Sequence, residues 1–297
     1  MLFTRHFIGC ALQVRFVKRD RIVTTELATT TLNESDLLRL GQLAIDAGAE
    51  IMRVYEGEFD VQIKGDQSPL TKADLASHAV IAEGLVQDFG HISVVSEEDA
   101  DSHDAPEGKR GSFFLVDPLD GTKEFINRRP DFTVNIALIE NQRPTYGIIY
   151  APVRKALYIG DVAAGLAYRI EAENLARLTL ADFTPLKVRS APPSLAAVCS
   201  LSHNSPETEA YLDLYGVTER VAIGSSLKFC LVAEGQADLY PRLGPTMEWD
   251  TAAGDAILTA AGGKVLSRDG TPLIYAKPRF FNPEFFAQGD VAFKVPN

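Results

Sequence analysis

The stretch Phe113-Phe114-Leu115-Val116-Asp117-Pro118-Leu119-Asp120-Gly121-Thr122 decides how the rest of the chain is read. Its apolar start predicts a buried strand, and two carboxylates stand at the mouth of that strand, where uncompensated acids are costly. Gly121 permits a tight turn or a close backbone approach, and Thr122 can open a helix or face an anion. Together these features point to a metal site facing a phosphate. Asp120-Gly121 alone is also a common turn signal, so its meaning depends on what the fold brings beside it.

Further acids stand at the ends of predicted elements: Asp74 at the start of a helix, Glu97 and Glu98 after a strand, and Asp250 before a helix. Each has a plainer reading, with Glu97-Glu98-Asp99 as a solvated loop and Asp250 as an N-cap. Brought together, they would repel unless a cation neutralised them. Oxygen ligands without clustered His or Cys favour magnesium or manganese over zinc or copper. An EF-hand is excluded, because Pro118 and the spacing do not fit its loop. Two cations about 3.5–4 Å apart could activate a water and stabilise a leaving oxygen.

Composition narrows the partners. The 297 residues are 46% hydrophobic, enough for a substantial core, and 40 acids against 29 bases leave a formal charge of −11. That balance argues against nucleic acid or an anionic membrane as the main partner. Cys10, Cys199 and Cys230 are too widely spaced for a disulfide framework or a CxxC knuckle, and the histidines show no zinc-hydrolase spacing. The first 30 residues are basic and acid-poor, which fits a presequence, a disordered arm or an upstream extension equally. Their longest apolar run, Phe7 to Leu12, is too short to cross a bilayer, and no later segment does better.

Helical periodicity runs from Asn33 or Ser35 through Leu37, Ala44, Ile45, Ile51 and Tyr55. A second helix is predicted over about Lys72 to Phe89, with Leu75, Ala79, Ala82, Leu85, Val86 and Phe89 on its buried face. Closely spaced strand patterns from Phe132 to Ile170 imply an antiparallel meander. After Pro192-Pro193 strands and helices alternate, which predicts an α/β second half. The expected division is a basic extension over 1–31, an α+β subdomain over 32–185 carrying most of the acids, and an α/β subdomain over 186–297. The cleft between the subdomains is the natural ligand site.

Three ordered motifs resemble the inositol monophosphatase superfamily of magnesium-dependent, lithium-sensitive phosphatases: Ser96-Glu97-Glu98-Asp99, Asp117 to Thr122, and Glu248-Trp249-Asp250-Thr251-Ala252-Ala253-Gly254. The resemblance spans roughly Leu32 to Phe286. Lys123-Glu124-Phe125, Ile223 to Cys230 and Gly235 to Arg242 are similar to the CysQ type of 3'(2'),5'-bisphosphate nucleotidase within it. The resemblance implies a layered αβαβα sandwich of the sugar-phosphatase type, two subdomains with the active site between them. It implies hydrolysis of the 3'-phosphate of adenosine 3',5'-bisphosphate to AMP and phosphate, with the phosphosulfate analogue as a further substrate, in sulfur assimilation or nucleotide recycling.

Carried over position by position, the metal ligands are Glu97, Asp117, the Leu119 carbonyl, Asp120 and Asp250, holding two or three Mg2+ with Mn2+ as an alternative. Asp74 and Thr122 are the catalytic pair that orients and deprotonates water. Glu97, Leu119, Asp120, Gly121, Thr122, His203, Gly224, Ser225, Lys228 and Asp250 contact the substrate, Lys228 at its second phosphate. His203 has an equal reading as an ordinary loop residue, and Arg242 either adds positive charge or pairs with a surface acid. The implied partner is a small nucleotide bisphosphate, with no nucleic acid and no integral membrane segment. The implied protein is a monomer or homodimer, cytoplasmic or peripheral on the cytoplasmic face of the inner membrane. Two alternatives stay open: an inositol or sugar phosphatase, and a binding protein that kept the fold without the catalysis.

Overall fold

The computed structural model describes residues 30–63, 69–103, 111–199 and 205–295. His203 and residues 1–29 of the basic extension lie outside them. The chain opens with α1 (Glu34–Tyr55), the ribbon β1 (Val61–Ile63) and β2 (Pro69–Thr71), and α2 (Lys72–Phe89). Next come β3 (Ser93–Ser96), α3 (Ala100–His103), β4 (Phe113–Asp120), α4 (Thr122–Ile126), β5 (Thr133–Glu140), β6 (Arg143–Ala151), β7 (Ala156–Asp161), β8 (Leu166–Glu171) and β9 (Thr184–Pro185). The last part holds β10 (Ala196–Cys199), α5 (Pro206–Leu214), β11 (Glu219–Ala222), α6 (Leu227–Ala233), β12 (Leu239–Arg242), β13 (Thr246–Met247), α7 (Ala252–Ala260), β14 (Lys264–Ser267), β15 (Phe281–Asn282) and β16 (Phe285–Gln288).

Strands β3 to β9 form one sheet in sequence order, antiparallel except for the parallel β3–β4 pair. The meander read from the sequence is therefore present. A second sheet has the order β11-β10-β12-β16-β14, parallel among its first three strands and antiparallel in the rest. The alternation of strands and helices expected after Pro192-Pro193 is present over β10 to α7.

Side-chain alternation along β4 explains the layering. Phe114 and Val116 pack with α1 and α2, while Phe113 and Leu115 join the cluster formed by Phe229 of α6 and Ile257 of α7. Helices α6 and α7 thus lie between the two sheets, and Tyr211 and Leu212 of α5 cover the outer face of the second sheet with Ala197, Leu239 and Phe286. The five layers run helix, sheet, helix, sheet, helix. Strand β5 is buried along its whole length because helices cover both of its faces, which is why Thr133 to Ile139 reads as nearly unbroken apolar sequence.

Of the two cap candidates before α1, Asn33 is the one used, in a capping box with Asp36. The face expected to be buried on α2 needs correction. Leu75 and Val86 are 49% and 67% exposed, and the buried positions include Ala73, Asp74, Ser77, Ile81, Gly84 and Leu85. The apolar periodicity misled because the inward face of the first turns carries polar groups for the site. Asp74 serves as N3 of a second capping box, and the Ser77 hydroxyl donates to the Pro118 carbonyl at 2.7 Å.

Helix α7 carries its own buried acid. Asp255 accepts from Tyr275 and Thr259, each at 2.9 Å, and burial pushes its carboxyl up to about 6 despite Arg143 and those two bonds. At the turn before α7, the fully buried Glu248 accepts the Ala276 and Lys277 amides at 2.6 and 2.9 Å and pairs with the Lys277 ammonium at 2.7 Å. These bonds fix the segment that presents Asp250.

Candidate active site

Pro118 cannot donate to the ladder, and the β4–β5 register shifts between Asp117 and Asp120. In an unbroken strand, positions three apart point to opposite faces. The extra residue at this bulge lets both acids line one cavity. The Asp117 carboxylate also accepts the Leu119 amide at 3.0 Å, which turns the strand end back on itself.

That cavity, about 260 Å³, is lined by residues from both halves of the chain. Glu97, Asp117, Leu119, Asp120, Gly121, Thr122 and Glu124 come from one half, and Gly224, Ser225, Lys228, Tyr240, Arg242 and Asp250 from the other. Every site residue expected from the sequence is among these except Asp74 and His203. Asp74 sits behind Thr122, and His203 is outside the described residues.

Glu97, Asp117 and Asp250 each offer a carboxylate oxygen within 4.8 Å of the others. Burial first, then Glu97, Asp120 and Asp250, pushes the Asp117 carboxyl well above the usual range, while the Leu119 amide pulls it back. Burial, Asp120 and Glu97 likewise raise Asp250, against the Met247 amide and Arg242. The plain N-cap reading of Asp250 does not hold. Thr251 occupies that position, and the Asp250 carboxylate instead accepts the Met247 amide at 2.9 Å. Three carboxylates at such separations fit a hard divalent cation, which would offset their mutual repulsion. Asp120 lines the same cavity, and its Oδ2 is engaged by Ser226.

Behind this group, the two oxygens of Asp74 have different tasks. Oδ2 accepts the Thr71 amide and hydroxyl at 2.8 and 2.7 Å, and Oδ1 faces the Thr122 hydroxyl at 3.4 Å. Thr122 is no cap for α4: Gly121 holds the N-cap position, with φ of 95°. A Cβ at Gly121 would meet the Asp131 carbonyl at 3.0 Å, and one at Gly224 would meet the same oxygen at 2.8 Å. Two loops from different halves thus close on one backbone segment, and neither has room for a side chain there.

The same cavity also carries cations, Lys228 and Arg242. Lys228 is 7% exposed, and burial pulls its ammonium below the usual lysine range, with Arg242 adding to that effect and Asp120 and Glu124 opposing it. Its Nζ donates to the Ser225 carbonyl at 2.6 Å, an oxygen turned toward it by the left-handed backbone of Ser225 (φ 51°). Arg242, whose role the sequence left open, lines the cavity, and its Nε is buried without a hydrogen-bond partner among the described residues. The apolar-flanked Pro241-Arg242 at the end of a strand is the signal that could have placed it. Asn135 was also missed, although a lone amide within the apolar run of β5 marks a buried polar contact.

An Inositol monophosphatase family model matches residues 34–289. The 3'(2'),5'-bisphosphate nucleotidase CysQ of Escherichia coli (strain K12) is 47% identical over 247 residues, covering 82% of this chain and 96% of that protein. The crystal structure of CysQ from Bacteroides thetaiotaomicron superposes with a TM-score of 0.76 at 40% identity, covering 87% of this chain and 98% of its own. An inositol monophosphatase from Anabaena (Nostoc) sp. PCC 7120 follows the same fold with a TM-score of 0.65 at 26% identity, over 86% of this chain and 91% of its own.

Proposed function

The chain belongs to the inositol monophosphatase family, and from that premise we infer that it is a divalent-cation-dependent phosphatase that removes the 3'-phosphate of adenosine 3',5'-bisphosphate, giving AMP and phosphate. The observation that carries this reading is the pairing of an acidic wall with a cationic wall in one cavity. Arg242 makes the buried charge of Lys228 more costly, a cost that a second phosphate would offset. A monophosphate held at the acids would leave that wall unmatched. The nucleotidase relatives at 47% identity support the same substrate class.

In this reading Glu97, Asp117, Asp120, Asp250 and the Leu119 carbonyl would hold Mg2+ or Mn2+. When bound, such a cation supplies positive charge at the phosphoryl oxygens and makes water more acidic. The protein's own groups do the rest. Thr122 lies between the cavity and Asp74, so its hydroxyl can accept a proton from an attacking water while passing its own to Asp74 Oδ1. The bond from Thr71 to the other Asp74 oxygen keeps that acceptor aimed. Gly224 and Ser225 leave the backbone close to the substrate, and Lys228 with Arg242 would hold the phosphate that is not cleaved. The phosphosulfate analogue fits the same pair of walls.

Among the described residues no helix is long and apolar enough to cross a membrane. The test is a comparison of kcat/KM with Mg2+ for adenosine 3',5'-bisphosphate and for inositol 1-phosphate. A preference of about 10²-fold or more for the bisphosphate is expected, since a buried charge pair with the second phosphate separates them. Equal or reversed rates would favour the inositol phosphatase alternative.

A further inference from the structure

Ser226 has no part in the ligand or substrate sets above, yet it makes the densest polar junction in the site. It is 1% exposed. Its amide donates to Asp120 Oδ2 at 2.6 Å, and its hydroxyl lies 2.7 Å from the same oxygen and 2.8 Å from the Asp250 carbonyl. Asn135 of β5 donates to the Ser226 hydroxyl oxygen at 2.8 Å and reaches Asp120 Oδ2 at 3.4 Å. One residue at the start of α6 thus joins the end of β4, the middle of β5 and the turn before α7.

The hydrogen count makes the arrangement directional. With Asn135 donating to it, the Ser226 hydroxyl has one proton and two acceptors, the charged Asp120 oxygen and a main-chain carbonyl. The charged acceptor gives the stronger bond, so the proton favours Asp120 while the amide bond to that oxygen stays in place. The donors to Asp120 among the described residues fall on Oδ2 and none on Oδ1. A carboxylate clamped through one oxygen cannot rotate freely, and it keeps the other oxygen for a cation.

We propose that Ser226 is a positioning residue that clamps Asp120 through Oδ2, so that this acid meets the divalent cation through Oδ1 alone and is held in register with Asp250. The proposal rests on the reading of Asp120 as a cation ligand. Outer partners of this kind commonly change metal affinity by roughly 10–100-fold when removed. Because the amide bond survives in Ser226→Ala, the lower end of that range is expected.

The test is calorimetric titration of the metal-free full chain with Mn2+, alongside turnover as a function of Mn2+ concentration. Ser226→Ala should weaken Mn2+ binding by about tenfold and raise the concentration for half-maximal turnover in proportion, with most of kcat restored at saturating cation. Ser226→Cys keeps the size of the side chain and a weak donor, and should fall between Ala and wild type; it gives the same ordering if the Ala variant does not fold. Asp120→Asn should lose far more affinity and gain nothing from excess cation. If Asp120→Asn weakens binding while Ser226→Ala and Ser226→Cys bind Mn2+ as tightly as wild type, the clamp is wrong and the ligand reading stands. If Asp120→Asn itself binds normally, the ligand reading fails and the proposal with it.

Discussion

Asp117→Asn is expected to lower turnover on the order of 10³-fold while making the metal-free protein more stable. Asp117 is 1% exposed and faces three other carboxylates, which together with burial hold its acid group well above the usual range. Asparagine keeps the volume and the acceptor for the Leu119 amide, and removes one charge from the cluster. Relief of that repulsion should add about 1–2 kcal/mol to the stability of the metal-free fold.

The sign of the pH dependence follows from linkage. The carboxyl pKa is higher in the folded protein than in the unfolded chain, where it is near the ordinary value of about 3.9. Between those values the folded state binds more protons, so metal-free wild type loses stability as pH rises above about 4 and through the raised folded value. While Asp250 keeps its own share of that loss, the variant lacks the Asp117 share. Its advantage in melting temperature, measured in chelator, should therefore grow from about pH 5 to pH 8. Excess Mg2+ should then stabilise wild type much more than the variant. A variant less stable than wild type in chelator at pH 8 would mean that the acids do not repel as their burial and spacing imply.

Lys228→Met should separate the two phosphates of the substrate. Methionine keeps the apolar stem beside Tyr240, whose ring centroid lies 5.4 Å from Nζ, and removes only the charge. Loss of a desolvated ammonium–phosphate contact costs roughly 2–5 kcal/mol, so kcat/KM for adenosine 3',5'-bisphosphate should fall by about 30- to 5,000-fold. With inositol 1-phosphate the same change should stay within about threefold, because that substrate leaves the cationic wall unused. Equal losses on both would place Lys228 among the groups that serve the acidic wall instead.

The metal-facing part of the site was legible in the sequence because its residues lie in short contiguous motifs. Asp117 to Thr122 can be read in one glance, and the bulge that makes its acids converge is signalled by Pro118 inside a strand. The cationic residues were harder to read. Lys228 came from a longer string by resemblance, and Arg242 was open between added positive charge and a surface ion pair; the structure has it lining the cavity. Ser226 and Asn135 could not be assigned, since their partners are 106 and 91 positions away in sequence.

The fold divided along the same line. Strands covered on both faces, such as β5, announce themselves by composition. Strands β11, β14 and β16 did not: β11 is largely exposed and β14 half so, while the buried β16 is only four residues long. Helix α2 misled for a functional reason. Its inward face spends two positions on Asp74 and Ser77, leaving Leu75 and Val86 outside.

The identity of the phosphate that leaves tests the two-walled site most directly. Adenosine 3',5'-bisphosphate incubated with the full chain and Mg2+, followed by phosphorus NMR, should yield orthophosphate and adenosine 5'-monophosphate in equal amounts. Chelation of the cation should stop both signals from growing. Accumulation of adenosine 3'-monophosphate, or phosphate release that continues undiminished in chelator, would contradict an acidic wall that cleaves and a cationic wall that holds.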